Sequence, residues 1–167
     1  MSDKTAAMTP NAWPLFMNSR APVAGNGFWA GVTVKGRGLL VLEDDGDGPE
    51  YHLYGVNPSG LCARGPSAEE AHKDFLGMLR AVMYDVAEEA PDFGSFKGRL
   101  EALVRETNGF YEERWQEALN LVRSQAIDLP GAAREPGESP PFVEVVRISE
   151  PKPADNPECS PLMIAAA

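Results

Sequence analysis

The chain has 167 residues, of which 15 are Lys or Arg and 25 are Asp or Glu, giving a formal charge of −10. Hydrophobic residues make up 43% and charged residues 24%, the composition of a globular chain and not of a disordered one. The surplus of carboxylates excludes a protein that grips nucleic acid through its own charge, because phosphate binding needs clustered cations. Such a charge suits a soluble protein or one whose partner is basic. No apolar run approaches the ~20 residues needed to span a bilayer, so no membrane association is expected. The opening MSDKTAAMTPNAWP lacks the apolar core of a signal peptide. Cys62 and Cys159 are too few for a disulfide framework, and a reduced, cytoplasmic setting is expected.

Residues 1–25 read as an irregular N-terminal arm, because Pro10, Pro14 and Pro22 interrupt them, although Trp13, Leu15, Phe16 and Met17 can anchor part of it on the body. A compact domain is expected from 26 to 127. It opens with strands over Phe28–Val34, Leu39–Glu43 and Glu50–Val56. The turns between them are Lys35-Gly36-Arg37-Gly38 and the Asp/Gly run Asp44 to Pro49. Apolar stretches separated by Gly/Asp turns are the sequence form of an antiparallel meander. A fourth, shorter strand is expected over Leu61–Arg64. Ser67 then has the character of a helix N-cap, with Glu70 three residues on. Ala71, Phe75, Met78, Leu79, Val82, Met83 and Val86 follow as an apolar stripe, with Lys73, Arg80 and Glu88 toward water.

Pro91 and Gly94 stop that helix, and Ser95 is the candidate cap of the next, with Phe96, Leu100, Leu103 and Val104 on one side. Beyond Asn108-Gly109, Phe110, Trp115, Ala118, Leu119 and Val122 form another apolar face. Two helices and one bent helix are both compatible with this spacing. Eight of the 15 prolines fall after residue 128, which marks 128–167 as a Pro-rich segment with one β-rich stretch, Phe142–Ile148. The expected fold class is α+β. It comprises an antiparallel sheet of three to four strands with one amphipathic helix packed on it, a C-terminal helical pair and a late edge strand.

Glu43, Asp44, Asp45, Asp47 and Glu50 are the densest acidic run, with Tyr51 and Tyr54 just after it. These residues are the candidate partner-binding set. They suit a surface that offers carboxylates where a basic partner expects phosphates, and equally a solvated hairpin turn, where Asp and Gly satisfy turn geometry. His52, Cys62, His72 and Cys159 form no CxxC or HxxxH pair, so packing is expected of them in place of a zinc site. Glu69-Glu70, Glu88-Glu89 and Glu112-Glu113 are adjacent and diverge on a helix. No catalytic residue, metal or cofactor is therefore expected. Phe110, Tyr111 and Trp115 read as core or as a homodimer seam, and Trp13, Phe28 and Trp29 as packing over the sheet edge.

The run Gly60-Leu61-Cys62-Ala63-Arg64-Gly65-Pro66-Ser67-Ala68-Glu69-Glu70-Ala71 resembles the signature of HicB-like antitoxin domains. Gly60 and Gly65 match the two motif glycines, Ser67 the helix cap and Glu70-Ala71 the helix opening. The likeness covers roughly residues 37–90. It implies a non-enzymatic, antitoxin-like protein of a toxin–antitoxin system that binds and neutralises a small basic RNA-cleaving toxin. Many such antitoxins also read DNA, but Lys97, Arg99, Arg105, Arg114 and Arg123 are balanced by five glutamates between 101 and 117, so no direct nucleic-acid binding is expected. An interaction or assembly module, as a homodimer without a toxin, is the alternative. A small enzyme built on His52, Cys62 and His72 is the third.

Overall fold

The computed structural model describes residues 11–124, 127–136, 141–150 and 160–166. In chain order the elements are β1 (Ala12–Gly25), β2 (Phe28–Asp44), β3 (Pro49–Asn57), β4 (Cys62–Gly65), α1 (Ala68–Glu89), α2 (Phe93–Arg105), α3 (Gly109–Arg123), β5 (Ala133–Pro136), β6 (Phe142–Ile148) and β7 (Met163–Ala166). All strands join one seven-stranded sheet of order β4-β3-β2-β1-β7-β5, and β6 pairs β2 beside this path. Among the described residues only β5 and β7 run parallel. The class is α+β and mostly antiparallel, as the sequence suggests, but the sheet is larger than three or four strands.

The largest departure is at the start. Residues 12–25 are not an irregular arm: they form β1, paired with β2 from Ala12–Val41 to Gly25–Phe28, with Asn26-Gly27 as a two-residue turn. The prolines fit because of their parity. Leu42 N–H donates to the Asn11 carbonyl (2.8 Å), so odd-numbered residues of β1 exchange hydrogen bonds with β2. Pro14 and Pro22 are even, and their missing N–H groups fall on the strand's other side. β7 pairs that side only at Leu15 and Phe16, leaving Pro22 on an open edge among the described residues.

The expected turn at 35–38 is also absent, since β2 runs through it. Its glycines instead serve close packing: a Cβ on Gly36 would collide with the Asn57 carbonyl, and the β2–β3 register shifts between Arg37 and Gly38. β2 is thus long enough to share one edge between two strands. β3 occupies Arg37–Asp44 and β6 occupies Trp29–Lys35.

Ser67 caps α1 as expected, its Oγ accepting from Glu70 N–H (3.2 Å). Gly65 lets strand and helix meet, because a Cβ there would lie 2.9 Å from the Ala71 nitrogen. The buried stripe of α1 is Ala71, His72, Phe75, Leu76, Leu79, Met83 and Ala87. It is rotated from the expected one, so that Met78 is exposed and Val82 and Val86 are half-buried. Asp92, not Ser95, caps α2, accepting from Ser95 N–H (2.7 Å), and Asn108 caps a separate α3. The Ser95 donors hold the Asp92 carboxyl below its ordinary range.

α1 and α2 cover one face of the sheet. There Trp13, Leu15, Met17, Leu40 and Leu53 meet the first half of α1, while Phe28, Ala30, Val32 and Val145 meet its second half and α2. α3 covers part of the opposite face, packing Trp115, Ala118 and Leu119 on Phe16, Leu39, Val41 and Val56. The expected face of α3 is right except for Phe110, which is exposed. Trp115 is core, and Trp13 and Phe28 are core under α1 and α2, while Trp29 is only half-buried. No helix is long and apolar enough to cross a membrane among the described residues.

Candidate functional site

Alternation along paired strands decides which side chains meet. Glu43 of β2 faces Glu50 of β3 across the hairpin, and His52 and Tyr54 follow Glu50 at period two. Cys62 and Arg64 of β4 stand opposite Tyr54 and His52. These six side chains therefore share the sheet face that carries α3, at the corner beside that helix. Asp44 opposes Pro49 at the hairpin end, and its Oδ1 accepts from Gly46 N–H (3.0 Å). Gly46 and Gly48 take positive φ, which the tight connection requires, and Asp44, Asp45 and Asp47 are exposed around it.

The corner is ordered by a web of contacts. The Tyr54 hydroxyl donates to Glu43 Oε1 (3.1 Å), and the Tyr54 ring stacks on Tyr111 of α3 at 4.5 Å and on His52 at 6.0 Å. His52 Nδ1 lies 3.9 Å from Glu43 Oε2 and Nε2 lies 3.5 Å from Glu50 Oε2, a carboxylate that Arg64 also approaches (4.0 Å). Burial, reinforced by the Glu43 carboxylate, pushes the Tyr54 phenol above its ordinary range. Burial also raises Tyr111, with Cys62 adding and Arg114 opposing. It raises the Cys62 thiol too, with Glu43 adding and Arg64 opposing. Phenols and thiol thus stay protonated at neutral pH, and a protonated thiol is a poor nucleophile. What the corner offers is negative charge: Glu43, Asp45 and His52 each place a ligand atom within 4.8 Å of the others, a grouping able to receive a cation.

α3 is held against this corner by a buried polar hub. Asn57 is fully buried; its Oδ1 accepts from Arg37 Nε (2.7 Å), and its Nδ2 donates to Thr107 Oγ1 (2.5 Å) and the Glu106 carbonyl (3.3 Å). Arg37 then reaches Glu112 of α3 (2.9 Å) and lies over the Trp115 ring.

Of the candidate partner-binding residues, Glu43, Asp44, Asp45, Asp47, Glu50 and Tyr54 gather at this corner. Tyr51 does not: it lies on the opposite face, 6.1 Å from the Trp13 ring. His52 and Tyr111 belong to the corner and were not among the candidates. Period two from Glu50 signals His52, whereas Tyr111 arrives from α3 with no local signal. His52, Cys62 and His72 are not brought together, because His72 sits on α1 across the sheet; Cys159 lies outside the described residues. Comparison with protein families, characterised proteins and solved structures finds no match to this chain.

Proposed function

We infer that this chain is a non-enzymatic, antitoxin-like protein that binds a small basic RNA-cleaving protein and neutralises it by covering its positive surface. One observation carries the reading: the hairpin between β2 and β3 concentrates Glu43, Asp44, Asp45, Asp47 and Glu50 at one corner, with the protonated Tyr54 and Tyr111 rings beside them. Exposed carboxylates on an ordered strand pair steer and register a cationic partner, while flat aromatic rings supply contact area at low entropic cost. The HicB-like junction from Gly60 to Ala71 supplies the class of partner. The test is co-expression with a small basic protein encoded beside this chain. Growth arrest caused by that protein should be relieved by the wild type and not by D44N/D45N/D47N/E50Q, which leaves Glu43 on Tyr54. A neighbourhood without such a protein, or equal rescue by the variant, contradicts the reading.

A second reading, a homodimeric assembly module, is favoured by one separate feature. Phe142, Val146 and Ile148 are 44%, 49% and 37% exposed on the same face of β6, and β6 pairs β2 alone among the described residues. Two copies can join such strands about a twofold axis. Light scattering distinguishes the readings: a dimer in the absence of other proteins supports the second, and a monodisperse monomer removes it.

A further inference from the structure

On the face opposite the acidic corner, a cleft of about 750 Å³ separates the first three turns of α1 from the chain segments at 129–133 and 160–162. That volume falls within the range of small-molecule sites. One wall is a single stripe of α1 (Glu69, His72, Lys73, Leu76 and Arg80), and Leu129 and Leu162 line the cleft with them. Two buried polar atoms on that stripe lack partners. His72 is 3% exposed and its Nε2 makes no hydrogen bond, and the Arg80 Nε is likewise buried and unbonded. A buried donor left unpaired is costly, and such groups in a cleft mark a place where a ligand completes the bonding.

The charge of the lining sets the ligand class. Lys73 and Arg80 outnumber Glu69 by one, in a chain whose formal charge is −10. Neither cation is ion-paired among the described residues. Burial depresses the His72 imidazole below its ordinary pKa, so it adds a hydrogen-bonding atom and no charge at neutral pH. One net positive charge matches a monoanion, and the leucines match an apolar body.

We propose that this cleft binds an organic monoanion with a hydrocarbon body, a carboxylate seated by Lys73, Arg80 and His72 Nε2 with its apolar part along Leu76, Leu129 and Leu162. The inference is independent of the acidic corner. It is tested by titrating the full chain with decanoate, decanol and inorganic phosphate, followed by calorimetry and by amide and imidazole NMR. Decanoate should saturate one site, shifting amides in 68–80, 129–133 and 160–162 and the His72 ring resonances. Decanol should bind at least about tenfold more weakly, the value of one charge-assisted hydrogen bond. R80Q and K73Q should each weaken decanoate by about tenfold while leaving decanol binding and the melting temperature unchanged. Absence of saturable decanoate binding, equal binding of decanol, equal binding of phosphate, shifts confined to other regions, or unaltered decanoate affinity in both variants would each overturn it.

Discussion

The half of the sheet beneath α3 and the half beyond it share the two long strands β1 and β2, yet the burial of these strands differs between them. In β2, Phe28 to Val34 alternate buried and half-buried, whereas Gly38, Leu39, Leu40 and Val41 are all buried in succession. β1 repeats the contrast in reverse order, with Trp13 to Met17 buried continuously and only Ser19, Ala21 and Val23 buried thereafter. The continuous run is what a strand needs between two helical layers, and the alternation is what it needs under one. A strand's pattern therefore reports how many layers cover it, and the change within β2 marks where α3 ends. The acidic corner belongs to the covered half, where α3 orders Tyr54 through Tyr111. The apolar residues of β6 belong to the uncovered half.

The contrast breaks most visibly on truncation. Leu39 is fully buried under α3, and Leu39→Ala should destabilise by about 3 kcal/mol. Val146 sits on the same face beyond α3, and Val146→Ala should stay within about 0.5 kcal/mol. Urea midpoints measure both; similar losses would erase the distinction between the halves. Next in size is Asn57→Ala, which strips partners from Arg37 and from the α2–α3 connection and should cost about 2 kcal/mol. Hydrogen exchange should then show α3 losing protection ahead of α1, and uniform loss would contradict a local hub.

The smallest effect is a pH slope. His72 is held below its ordinary value of 6.5 by burial, so the unfolded chain takes up this proton first as pH falls. The stability contribution is complete above that ordinary value and declines as pH drops toward the depressed one. Melting temperature measured from pH about 7.5 to about 5.5 should fall more steeply in the wild type than in His72→Gln. Parallel slopes would remove His72 as the cause.

Much of this was legible in the sequence, and the misses share a cause. The Ser67 junction, β3 and β6 follow from capping chemistry and local alternation, and the acidic corner follows once Glu43 and Glu50 are placed opposite each other. β1 was hidden by Pro14 and Pro22, whose harmlessness depends on a parity that only the pairing with β2 reveals. The odd-position series Trp13, Leu15, Met17, Ala21 and Val23 leading into Asn26-Gly27 carried the signal. Gly36 and Gly38 mimicked a turn because close approach and positive φ both select glycine, and only the Asn57 contact separates the two. Tyr51 and Tyr54 sit three apart, an odd spacing that sends them to opposite faces. Tyr111 and the cleft at His72 depend on segments distant in sequence, for which local patterning has no reach.

The affinity for this chain of the partner proposed above, a small basic protein encoded beside it, measured by calorimetry at low and at high ionic strength, addresses the role of the acidic corner directly. Wild type should bind at low salt, weaken steeply as salt rises, and exceed D44N/D45N/D47N/E50Q by at least about tenfold. Affinity that ignores both salt and the four neutralised carboxylates would show that the corner is a solvated turn and not a docking surface.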